Sequence, residues 1–377
     1  MRFPVKFRFL VPLLAVTLLL GAAAAQADTL EDAQTALEKK DFAAAYKLLQ
    51  PLAEKGDREA MYFVGRMFEA GQGVKKDAGK AAVWFRKAAE KGDLSAQNSY
   101  GGILTAGRGV RRNDAEALRW FKNAAEGGHA TAQYNLAYMY ANGRGVKKDE
   151  KTALSWYSKA ADQGLADAQY SLGWMYMNGK GTEQSDTRAV HWFQNAADQD
   201  HPKAQNNLAY MYVEGRGYPQ DYKKAAEWYQ KAADQGYAGA QYNMGFLYEE
   251  GKGVPKDYGM AVQWYRKAAE NGDAAAQYSL GYMYEQGTGV PRNLSEANRW
   301  YHLAAKNGDP DAKALLAQQN KGKASAAKNT EKKSGKAKAS SNNKGKSDKG
   351  KSDKAKSGKT SGKTPSKAAN AKQDKNP

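Results

Sequence analysis

One spacing governs this chain. Glycine pairs separated by a single residue stand at 71/73, 107/109, 143/145, 179/181, 215/217, 251/253 and 287/289. Seven of the eight tryptophans stand at 84, 120, 156, 192, 228, 264 and 300. Both series step by 36 residues without an insertion or deletion. A fixed period of this length means one supersecondary unit repeated, each copy burying its apolar face against its neighbours rather than around one centre. Seven units run from about Asp57 to Gly308, and Asp309–Asn320 starts an eighth helix.

Each unit holds two helical patterns. Ala132, Leu136, Met139 and Tyr140 fall at i, i+4, i+7 and i+8, and Ala153, Tyr157, Ala160 and Ala161 repeat that spacing. One position of the first helix is Gly65, Gly101, Ala137, Gly173, Ala209, Gly245 or Gly281. Glycine inside a helix costs roughly 1 kcal/mol against alanine, so a restriction to these two residues implies close helix approach. No strand pattern appears. The expected fold is all-α: an α-solenoid superhelix of antiparallel helix pairs. Residues 28–56 read as a diverged N-terminal capping pair without the tryptophan or the glycine pair, and 57–320 as the repeats with a C-terminal helix.

The loop NGRGVKKD, Asn142 to Asp149, has the look of a phosphate cradle, with glycines, cations and a helix start behind it. Its context argues otherwise. It follows a helix rather than a strand, and no third glycine or GK[ST] completes a nucleotide motif. The first glycine suits a left-handed helix end. The position before the second helix is Asp77, Asn113, Asp149, Ser185, Asp221, Asp257 or Asn293, each able to accept an unpaired backbone N–H. The loop therefore reads as a hinge. Its charges are a separate matter. Arg108, Arg111, Arg112, Arg144, Lys147 and Lys148 form a candidate basic ridge for an acidic partner, against the alternative of an ordinary solvated face.

The recurring pattern A-x-x-L-G-x-x-Y-x-x-G-x-G-V-x-x-D-x-x-x-A-x-x-W-Y-x-x-A-A-x-x-G resembles the Sel1-like repeat family, relatives of tetratricopeptide repeats. The resemblance covers about residues 57–320. It implies a non-enzymatic adaptor that holds protein complexes together, and it is shared with many exported bacterial proteins. Three departures cluster. Asp200 replaces the inter-repeat glycine, and Thr182 and Tyr218 replace the loop valine, which predicts an irregular junction around 180–220.

On a helical wheel, two positions of the first helix point away from the apolar stripe. They carry Tyr134 and Tyr138, Tyr170 and Trp174, Asn206 and Tyr210, Tyr242 and Phe246, and Tyr278 and Tyr282. In tetratricopeptide-like stacks such positions look toward a concave groove. An aromatic strip there suits a peptide or a sugar polymer, because tyrosine and tryptophan give large contact area at low entropic cost. The competing reading is that these rings pack between repeats, as aromatic stripes at helical spacing usually do.

The ends differ from the body. Of the net charge of +18, the 57 residues from Lys321 onward carry +14, with 18 lysines and 4 acids. They contain no Val, Ile, Leu, Met, Phe, Tyr or Trp. Such a segment cannot bury enough apolar surface to offset its ordering entropy, and reads as a disordered polycation spanning on the order of 40 Å. A polycation binds polyanions by counterion release. At the other end, MRFPVKFR, LVPLLAVTLLL and Ala25-Gln26-Ala27 read as the three parts of a cleavable export signal over residues 1–27, which places the mature chain in the periplasm or outside the cell. The chain has no cysteine, so thiol catalysis, thiolate metal sites and disulfides are excluded.

No HExxH, GxSxG or other spaced nucleophile–base set is present, and His129 and His201 are equivalent repeat positions rather than a ligand pair. No cofactor or metal is expected. The expected function is an exported, non-enzymatic scaffold that binds a protein or peptide in its groove. Its tail would tether it to anionic envelope components such as lipopolysaccharide, cell-wall polymer or nucleic acid. The alternative is an envelope- or polysaccharide-assembly factor binding glycan along the aromatic strip.

Overall fold

The computed structural model describes residues 29–322, and every regular element among them is a helix. The candidate export signal at 1–27 and the basic tail beyond Gly322 lie outside the described residues. The helices fall into two compact units that divide between Gln184 and Ser185. The first holds α1 (29–38), α2 (Phe42–Glu54), α3 (Arg58–Ala70), α4 (Ala78–Glu90), α5 (Leu94–Ala106), α6 (Asp114–Glu126), α7 (Ala130–Asn142), α8 (Glu150–Asp162) and α9 (Ala166–Asn178). The second holds α10 (Asp186–Ala197), α11 (Pro202–Glu214), α12 (Tyr222–Asp234), α13 (Ala238–Glu250), α14 (Tyr258–Glu270), α15 (Ala274–Gln286), α16 (Leu294–Lys306) and α17 (310–322). Within each unit, helices adjacent in sequence pack on one another, both inside a pair and from one pair to the next. The architecture is an all-α solenoid of helix pairs.

The hinge chemistry is as the spacing predicts. All seven predicted caps accept a backbone N–H at the start of a second helix; Asp149, for example, takes those of Lys151 and Thr152. Gly143 ends α7 at φ 66°, in the left-handed region where a Cβ is penalised. The second glycine does something more. A Cβ on Gly145 would lie 2.5 Å from the carbonyl oxygen of Asp114, at the start of the preceding second helix. The loop therefore lies directly on the backbone of the repeat before it, and the same contact recurs at Gly109, Gly181, Gly253 and Gly289.

The core runs along each unit as a ribbon. Leu136 and Met139 of α7 and Tyr157 and Ala160 of α8 are all buried. The position restricted to glycine or alanine faces the second helix's ring: a Cβ on Gly245 would come within 2.6 Å of the Tyr265 ring. Four of the periodic tryptophans, Trp84, Trp156, Trp228 and Trp264, are roofed by a lysine one turn later. Lys159 stands 4.0 Å above Trp156, Lys231 3.9 Å above Trp228 and Lys267 3.9 Å above Trp264.

A buried amide ladder, which the sequence reasoning passed over, joins the repeats. Gln133 donates to the carbonyl of Ala125 at the end of α6 and accepts from Gln163 just beyond α8, at 2.8 Å. Gln205, Gln241 and Gln277 do the same with Gln235, Asn271 and Asn307. Glutamine recurs every 36 residues from 97 to 277, so a period search over polar positions would have found it. At the predicted irregularity, α10 has 12 residues where the other helices between α2 and α16 have 13. Asp200 takes φ 60°, a strained value for a non-glycine residue.

Candidate partner-binding face

The first helix of each repeat presents one face to its second helix and another away from it. The sequence reading puts two rows of residues on the latter, and the structure treats the rows differently. In the first row, Tyr134 leans on the Tyr157 ring at 5.5 Å, Tyr242 on Tyr265 at 5.5 Å and Tyr278 on Tyr301 at 5.4 Å. Tyr170 is buried. Burial raises the hydroxyl pKa of Tyr134 and Tyr278, and takes that of Tyr242 to about 12. The Tyr134, Tyr242 and Tyr278 rings are packed between the helices of a pair, with their hydroxyls neutral at any physiological pH.

The second row is more open. Tyr138 and Trp174 in the first unit, and Tyr210 and Tyr282 in the second, are half-buried. Phe246 is buried, with the Lys252 ammonium 5.2 Å from its ring. Each unit thus carries half-exposed rings on its first helices, and in the second unit one position is closed. At two places an asparagine of the first row, Asn98 or Asn206, is bound by an asparagine of the next first helix, a pairing that sequence reasoning did not anticipate. Asn135 donates to Asn98 at 2.9 Å in the first unit, and Asn243 to Asn206 at 3.0 Å in the second.

The basic ridge is largely compensated. Arg144 makes a two-point contact with Asp114, 2.9 Å from its Oδ1, and also reaches the Thr105 carbonyl. Arg112 sits on the same carboxylate at 2.6 Å. Asp114 is consequently held down at about 2, first by the Arg112 hydrogen bond and then by Arg144, against the opposing effect of burial. Arg108 pairs with Glu69 at 3.5 Å and Lys148 with Glu150 at 2.9 Å. Arg111 and Lys147 are exposed and make no ion pair among the described residues. What the arginine of NGRGVKKD chiefly does is clamp its loop to the preceding repeat, and Arg216 repeats the clamp on Asp186 in the second unit.

His129 and His201 also resolve into local structure. Each Nδ1 accepts the backbone N–H three residues on, at 3.2 Å and 3.1 Å, and so caps a first helix. Among the described residues no group of histidine and carboxylate side chains has the arrangement of a metal site. None of their helices is long and apolar enough to cross a membrane.

The Sel1 repeat model matches eight consecutive segments: 35–57, 58–93, 94–129, 130–165, 166–201, 202–237, 238–273 and 274–309. The first match begins within the diverged N-terminal pair. The chain is similar to c5321, a protective antigen present in uropathogenic Escherichia coli strains that displays an SLR fold. Identity is 35%, the TM-score is 0.68, and the match covers 80% of this chain and 66% of that one, just under two thirds. It is also similar to a Sel1 repeat protein from Oxalobacter formigenes, at 33% identity over 84% of this chain and 97% of that one, with a TM-score of 0.60. A comparison with curated proteins finds no match. Sel1 repeats form a scaffold fold that is generally non-catalytic and typically binds protein partners. With the repeat model matching from 35 to 309 and both structural relatives above 30% identity, this chain belongs to the Sel1 repeat family.

Proposed function

We propose that the protein is an exported, non-enzymatic adaptor that binds a protein or peptide through half-exposed rings on its first helices. The observation that carries this reading is the half-exposure of Tyr138, Trp174, Tyr210 and Tyr282 at one repeat position. Large rings left partly open on a rigid scaffold offer contact area with little entropy to lose on binding. The compensation of Arg112, Arg144 and Lys148 argues against the loop ridge as the main docking surface. In this reading the lysine-rich tail supplies a second, electrostatic attachment to an anionic envelope polymer, and residues 1–27 direct export.

Pull-downs from envelope extract with the full chain and with a chain ending at Gly322 test both halves. A protein partner retained by the shorter chain and lost on Trp174→Ala, with unchanged melting temperature, is the expected result. Retention only of anionic glycan or nucleic acid, released by moderate salt, would leave the tail as the sole binding element. Capture of neutral glycan by the shorter chain would favour the polysaccharide reading instead.

A further inference from the structure

Two adjacent glycines sit in the middle of α5, and only one is explained by packing. A Cβ on Gly101 would come within 2.7 Å of the Phe121 ring, the close approach required throughout the array. A Cβ on Gly102 would meet nothing within 4 Å. Gly102 therefore gives up roughly 1 kcal/mol of helix propensity relative to alanine without a contact in return. The equivalent position elsewhere carries Arg66, Tyr138, Trp174, Tyr210, Phe246 and Tyr282, all large. Open backbone in place of a side chain is what close approach of a ligand requires.

What the missing side chain uncovers is visible within the chain itself. The rung from Asn135 to Asn98 recurs three repeats on as the rung from Asn243 to Asn206. In the second unit Asn206 and Asn243 are 0% and 1% exposed. Tyr210 and Phe246 stand one turn along the same helix faces. In the first unit the same two places hold Gly102 and Tyr138, and Asn98 and Asn135 are only half-buried. Replacing one ring by hydrogen leaves the rung accessible.

The open rung has matched spare capacity. Its single hydrogen bond uses the Asn135 Nδ2 and the Asn98 Oδ1, leaving the Asn98 Nδ2 as donor and the Asn135 Oδ1 as acceptor. The neighbouring Thr105 hydroxyl is turned back onto the Gly102 carbonyl at 2.9 Å and does not compete. Neither α5 nor α7 contains an Asp, Glu, Lys or Arg, so neither helix of the rung offers a charge to replace the hydration that a charged ligand would lose. One donor and one acceptor side by side match the C=O and N–H of a peptide unit, and only an extended chain leaves those groups free.

Resting on the partner-binding reading above, we propose that Gly102, Asn98 and Asn135 form a slot for the main chain of an extended, uncharged polypeptide segment. The probe is a displayed library of short peptides without ionisable side chains, selected on the full chain, with the best binder resynthesised. Its affinity should fall at least about tenfold on Gly102→Trp and on Asn98→Ala, a loss near that of one or two hydrogen bonds. It should fall likewise when the peptide's central amides are N-methylated, which leaves the protein untouched, and it should be insensitive to salt. Gly102→Trp should melt no lower than the parent chain. Undiminished affinity on Gly102→Trp, with loss on Trp174→Ala, overturns the slot and leaves the partner-binding face standing. A library that yields no binder overturns both. Capture of neutral oligosaccharide that Gly102→Trp abolishes overturns the polypeptide assignment.

Discussion

At the scale of single residues, small departures from the repeat carry the sharpest consequences. Gln97 donates to the Ala89 carbonyl, but its buried Oε1 has no partner. The reason is Gly127, which stands where Gln163, Gln235, Asn271 and Asn307 close the ladder elsewhere. Gly127 has a right-handed φ of −74°, so a side chain is tolerated, and the obstacle is Leu94, 2.6 Å from the new Cβ. Leu94→Ala with Gly127→Gln should therefore exceed Leu94→Ala alone by about 1 kcal/mol in denaturant unfolding. His129 offers a second test. Burial lowers its pKa, and only the neutral ring can cap α7. A base with a depressed folded pKa contributes stability that is complete above its ordinary value and is lost as pH falls through the folded one. His129→Asp, the residue found at 57, 93 and 273, should reduce the drop in melting temperature between about pH 7 and pH 5.

At the scale of elements, what joins repeats differs from what joins helices within one. Between repeats in the first unit, Arg144 clamps the α7–α8 loop to Asp114 at the start of α6. A double-mutant cycle of Arg144→Ala and Asp114→Ala should return a coupling of about 1 kcal/mol or less at low salt, shrinking as salt is added. Because the Asp114 pKa is depressed to about 2, this contribution is present above the ordinary aspartate value and lost as pH falls toward 2. Within repeats of the second unit, the Tyr265 hydroxyl donates to Glu249 at 2.6 Å and Tyr301 to Glu285 at 2.8 Å. Ala141 occupies the equivalent place in the first unit, so Tyr157 has no such carboxylate. Tyr265→Phe should cost about 1 kcal/mol or more, and Tyr157→Phe clearly less, by thermal or denaturant unfolding.

For the whole molecule, stability is a sum of local terms rather than the property of one core. Each repeat is tied chiefly to its sequence neighbours, and α17 closes the series with polar residues. Lys313, Gln319 and Asn320 replace the glutamine and apolar positions that would otherwise receive a following helix. A cavity made in one unit should then be felt locally. Leu136→Ala is expected to lower amide-exchange protection across α7 and α8 and to leave that of α15 and α16 close to the parent value. A global loss of protection would show a cooperativity beyond nearest neighbours.

The period alone determined the all-α solenoid, the glycine ends of the first helices and all seven caps of the second helices. Helix periodicity, glycine ends and N-caps are local physics, and seven copies in register averaged out the ambiguity of any one. The candidate face was legible only as a choice of positions. Which rings pack and which stand open depends on the helix opposite, so Tyr242 and Phe246 are buried while Trp174 is half-open. The charges of NGRGVKKD were visible, but their partner Asp114 lies 30 residues earlier, brought near only by stacking. Gly102 shows the same limit. Two identical letters stand side by side at 101 and 102, and only the tertiary structure, by placing Phe121 against one and empty space against the other, separates a packing glycine from an open slot.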